Sequence, residues 1–69
     1  MADRDPVGRM ATVTGRIAPG EAVGAVTVGF GSITDSYLAT AADGDVFDVG
    51  AVVVVVRRLP GKRVLVAAY

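Results

Sequence analysis

The stretch VFDVGAVVVVVRRLPGKRVLVAA, residues 46–68, decides the fold. Five consecutive valines, Val52 to Val56, fill its middle. Valine carries two heavy groups on Cβ, which restricts χ1 in a helix and suits a pleated surface, so the run favours a strand. It ends at Pro60-Gly61, and a second apolar run starts at Val64. Proline presets φ at the second position of a turn, and glycine tolerates positive φ at the third. The stretch predicts a β-hairpin with its turn over Leu59, Pro60, Gly61 and Lys62. Centring the turn on Pro60-Gly61 sets Arg58 opposite Arg63, Val56 opposite Leu65 and Val55 opposite Val66. Alternation then places Val53, Val55, Val64 and Val66 on one face, and Val52, Val54, Val56 and Leu65 on the other.

The rest of the chain must pack on this hairpin, and it reads as more short strands. Residues 1–6 are polar, charged and end in proline, which suggests a tail or linker, with the domain spanning 7–69. Residues 7–17 are rich in valine and threonine, and Gly15 would weaken a helix there. Ala18-Pro19-Gly20-Glu21 is a second Pro-Gly turn. In residues 23–30, Val26, Val28 and Phe30 share one parity, the period of a half-buried strand. A short turn at Gly31-Ser32 leads into a strand over 33–40, and Asp43-Gly44 marks a further loop. About five short strands separated by Gly- or Pro-bearing turns predict an all-β fold, a small five-stranded OB-type barrel. Gly15, Gly24 and Gly29 are expected at its bends or bulges.

Composition narrows the function classes. The chain has 69 residues, one domain's worth, and at this size folding buries only about 60% of the unfolded surface. Stability therefore calls for help, and the absence of cysteine and histidine removes disulfides, thiolate zinc sites, thiol nucleophiles and imidazole bases. Association with a partner or with the rest of a longer chain remains. Seven basic and seven acidic residues give a formal net charge of zero, which counts against a non-specific nucleic-acid binder. Although 52% of the residues are hydrophobic, the longest apolar run, residues 51–56, is far short of the ~20 needed to span a bilayer. The charged start carries no signal-peptide core, so a soluble domain is expected.

Candidate chemistry is sparse. Asp43, Asp45 and Asp48 fall within six residues, but the further oxygen ligands and terminal glutamate of a calcium loop are missing, so a solvated turn and no metal are expected. Gly29-Phe30-Gly31 opens like a dinucleotide fingerprint, yet Thr34 stands where the third glycine belongs and no helix follows. Ser32 and Ser36 lack a histidine partner, and no general base for neutral pH is on offer. No catalytic residue and no cofactor are expected. Arg57, Arg58, Lys62 and Arg63 gather around the Pro-Gly turn. Such a tip can contact phosphates or an acidic partner. Charges beside a five-valine run also block edge-to-edge aggregation, a role that needs no ligand. Only Phe30 and Tyr37 could stack on bases, and Phe30 has core parity.

Taken in order, Val7-Gly8-Arg9, Ala11-Thr12-Val13, Ile17-x-Pro19-Gly20, Val26-Thr27-Val28, Tyr37-Leu38-Ala39, Val46-x-x-x-Gly50, Val53-x-Val55 and Val64-x-Val66 resemble the C-terminal soluble domain of NfeD-like membrane proteins. The resemblance covers roughly residues 7–66. It implies an OB-type barrel that follows transmembrane helices, on the cytoplasmic side, and engages stomatin- or flotillin-like (SPFH) scaffolds, with the membrane met by the parent chain and not by this domain. It carries no catalytic residues. It places Val53, Val55, Val64 and Val66 in the core. Val52 and Val54 depart from it, since these positions are commonly charged or polar in that family. A single-layer barrel cannot bury both faces of its own strands. Val52, Val54, Val56 and Leu65 are therefore expected to meet a protein partner, a second copy or another part of the parent chain. A small nucleic-acid-binding OB or SH3-like barrel is the alternative, motivated by the basic tip.

Overall fold

The computed structural model describes residues 5–20 and 23–69. Five strands form among them: β1 (Met10–Gly15), β2 (Gly24–Phe30), β3 (Ile33–Ala41), β4 (Val52–Leu59) and β5 (Arg63–Ala68). They close into an all-β barrel in the order β1-β2-β3-β5-β4, with β4 returning to pair with β1. All neighbours are antiparallel except β3 and β5, which run parallel. This mixed, closed barrel is the OB-type architecture expected from the strand count. Among the described residues no helix is long and apolar enough to cross a membrane.

Alternation along each strand builds the core. β1 buries Ala11 and Val13, β2 buries Val26 and Val28, and β3 buries Tyr37 and Ala39. Val53, Val55, Val64 and Val66 are each at most 1% exposed, so of the two faces that alternation sorts, the inward one is the face the resemblance sets in the core. Ile17 completes the cluster, and Phe30, Ala41, Phe47 and Ala51 pack against it. Valine dominates because a five-stranded barrel is narrow, and a stiff, short side chain fills it at low rotamer cost. Among the described residues no polar or charged side chain is buried.

Several details depart from the sequence reading. Residues 7 and 8 form a turn, so β1 starts at Met10, while Pro6 is buried. Residues 46–51, in line with the turn expected before the hairpin, are not strand. They cross one end of the barrel and are pinned to the end of β1 and beyond by paired bonds between Ile17 and Phe47 (3.0 and 2.9 Å) and between Val13 and residues 50 and 51 (2.8 and 2.9 Å). Gly15 sits at a register shift in β1, as expected of a bulge. Gly24 instead marks a close approach, since an added Cβ would lie 2.8 Å from the Gly15 carbonyl and would strike Ile17. Gly29 pairs regularly with Thr34 and has open space around it, so it is neither bend nor bulge. Glu21, in the second Pro-Gly turn, lies outside the described residues.

The hairpin turn is one residue longer than expected. Leu59 pairs with Arg63, so Pro60, Gly61 and Lys62 form a three-residue loop. Gly61 and Lys62 both take positive φ, at 77° and 55°. Arg58 faces Val64, not Arg63, and Leu65 faces Arg57, not Val56. A bulge between Val55 and Arg57 absorbs the extra residue and restores the expected Val55–Val66 pair.

Candidate interaction surface

The bulge sets which side chains share the outer face. Directly paired residues lie on the same side of a sheet. Val55 and Val66 point inward, Val56 follows outward, and Arg57 also lies outward because it pairs with half-buried Leu65. Without the bulge, strict alternation would have turned Arg57 toward the core. Two consecutive residues, one apolar and one cationic, therefore face outward together.

Pairing extends this face across four strands. Met10 of β1 pairs with Val54 of β4, which pairs with Ala67 of β5. Thr12 pairs with Val52, and Leu65 pairs with Thr40 of β3. Leu38 pairs with Arg63, which pairs with Leu59. Met10 is 51% exposed, Val52 47%, Leu38 46% and Val56 44%, while Val54 and Leu65 are half-buried. The structure thus brings Val52, Val54, Val56 and Leu65 together on one surface. It adds Met10, Ala67 and Leu38, which sequence reading missed because cross-strand neighbours of different hairpins are not encoded locally.

The cations collect at one end of this surface. Arg57, Arg58, Lys62 and Arg63 are all exposed at the β4–β5 turn. Arg9 joins them at that end, just before β1. Its guanidinium lies 4.7 Å from the Phe30 ring centroid and its Nη1 donates to the Gly29 carbonyl at 3.4 Å. The Lys62 ammonium sits 5.4 Å from the Tyr37 ring centroid. Five of the seven basic residues are therefore at one end, where Asp35 of β3, opposite Val28, is a counter-charge. Asp43, Asp45 and Asp48 lie in the loop at the opposite end, before β4 starts. Asp48 accepts a bond from Arg16 Nε at 3.0 Å. The three aspartates do not converge, and among the described residues no three potential ligands are grouped to hold a metal ion.

Formal neutrality hides this separation. The eight residues of β4 between the two ends span on the order of 25 Å at ~3.3 Å per residue. Physiological salt screens charge over about 8 Å, so neither end cancels the other at its own surface. The aromatic inventory also differs from that of a base-stacking barrel. Tyr37 is buried, and Phe30 is partly buried under Arg9, so neither offers an open ring on the sheet. A cleft of about 210 Å³ lies at the aspartate end, lined by Ile17, Pro19, Val23, Thr40 and Gly44 among others. Among the described residues no charged side chain lines it. No protein-family model, no curated protein and no solved structure matches this chain.

Proposed function

We propose that this chain is a non-catalytic protein-interaction domain of a membrane-associated NfeD-like protein, and that it engages a stomatin- or flotillin-like (SPFH) scaffold from the cytoplasmic side. The observation that carries the interaction role is the outer face of Met10, Val52, Val54, Val56 and Leu65, apolar across strands and edged by cations. A half-exposed valine forgoes about half of the roughly 1.5–3 kcal/mol that full burial brings, and monomers seldom leave several together uncovered. The scaffold and the family rest on the ordered sequence resemblance. On this reading the parent chain meets the membrane, and the domain supplies a docking surface without chemistry of its own. The test is binding to a purified stomatin- or flotillin-like domain. The wild-type chain is expected to bind, and Val52→Thr with Val54→Thr to bind at least ~10-fold more weakly, a loss of about 1.4 kcal/mol. Undiminished binding by the double variant would remove the face from the reading, and no binding by the wild type would remove the scaffold.

One observation favours a second reading. An OB-type barrel with five cations at one end presents a local positive surface despite zero net charge. Single-stranded nucleic acid is the partner such a surface would suit. A salt titration against single-stranded oligonucleotides separates the two. Micromolar binding with a steep salt slope would favour nucleic acid, and weak, salt-indifferent retention favours the protein partner.

A further inference from the structure

We infer that the occupant of this outer face is a second copy of the chain, laid antiparallel across it. The inference rests on the interaction role proposed above and names what covers the face when the scaffold does not. Three features follow one another in chain order into and along β4. The loop before it carries Asp43, Asp45 and Asp48. The strand then presents Val52, Val54, Val56 and Arg57 outward, and Arg58 follows at the exposed tip on the side of its partner Val64. The order acidic, apolar, basic is self-complementary when reversed.

Symmetry decides the orientation. Two identical faces packed together are related by a two-fold axis lying in the interface. An axis along the strands would set each cationic tip against its twin. An axis across the strands stacks valine on valine and sets the tip of one copy against the aspartate loop of the other, at both ends. Arg57, Arg58 and Arg63 make no ion pair among the described residues, and neither do Asp43 and Asp45, so all are available for this. Other occupants use the charge less completely. An anionic bilayer would attract the tip and repel the aspartate end, and an acidic peptide would satisfy the tip alone. Closure of the barrel by β1 and β4 means that this contact is made by side chains and not by strand addition. The two-copy state and the scaffold-bound state are then alternatives for the same valines.

Sedimentation velocity over a concentration series, at low and high salt, is the test. The wild type is expected to show a monomer–dimer equilibrium that salt weakens. R57E/R58E and D43K/D45K are each expected to raise the dimer Kd at least ~10-fold, because each sets like charges together. Mixing the two variants restores both pairings, so an equimolar mixture is expected to dimerise about as tightly as wild type. Far-UV circular dichroism checks folding, and R57S/R58S with D43S/D45S repeat the test with a smaller change of charge. A chain that stays monomeric at millimolar concentration would overturn the inference. So would a dimer that salt tightens, or one indifferent to either reversal. A monomer that still binds the scaffold domain through Val52 and Val54 would overturn self-association and leave the interaction role standing.

Discussion

Gly24 and Gly29 stand on the same strand and answer to different constraints. An added Cβ at Gly24 would lie 2.8 and 2.9 Å from the carbonyls of Gly15 and Arg16, and backbone cannot swing aside. At Gly29 nothing lies within 4 Å, and φ is not positive there. Gly24→Ala is expected to cost about 1–3 kcal/mol, the range of overpacking, and to fall at its upper end because the atoms it meets are backbone. Gly29→Ala is expected to be neutral or to stabilise by about 0.4–1 kcal/mol through the unfolded chain. Urea unfolding of the two variants checks this, and equal effects would contradict the packing. The sequence treats both glycines alike, since each interrupts an apolar run, and only the loop that folds back through Ile17 tells them apart. Lys62 is similar. Its positive φ follows from a three-residue turn that the Pro-Gly step does not announce, and that turn carries its ammonium over Tyr37.

At the scale of the hairpin, parity was legible and register was not. Five valines with no polar residue among them give no local hint of which face is inward; period-2 alternation sorts them into two apolar faces, and the resemblance, which sets Val53, Val55, Val64 and Val66 in the core, picks the inward one. Val53→Thr and Val55→Thr are each expected to destabilise by about 1–3 kcal/mol, because each buries a hydroxyl with no partner at hand. The same exchange at Val52 or Val54 is expected to stay within ~0.5 kcal/mol. Thermal melts of the four single variants should split into these two pairs, and a large loss at Val52 or Val54 would place them in the core instead. The bulge at Val56 was not legible, because it compensates a turn length that short-range signals leave open. Changing Arg57, Arg58, Lys62 and Arg63 together to Ser is expected to move stability by no more than about 1 kcal/mol, the order of one exposed cation–π contact. A larger loss by chemical unfolding would make the tip structural.

Across the whole molecule, closure does what no single segment announces. Pairing of β1 with β4 lays Met10 beside Val54, 44 residues apart in the chain, and pairing of β3 with β5 adds Leu38, so a two-strand valine patch becomes a four-strand surface. β4 also holds the aspartate loop and the basic turn at its two ends, so a chain that reads as neutral from its composition is charged at each end. The four-strand surface could not be counted from residues, because it depends on which strands end up as neighbours. The central claim is that the outer face across β4 and β1 is an association surface. Backbone amide chemical shifts followed through a dilution series in solution test it most directly, residue by residue. Concentration-dependent shifts are expected at Met10, Val52, Val54, Val56 and Leu65, with smaller ones at Asp43, Asp45, Arg57 and Arg58, and none at Gly29 or Thr34 on the β2–β3 side. Shifts confined to that opposite side, or none at any concentration, would contradict it.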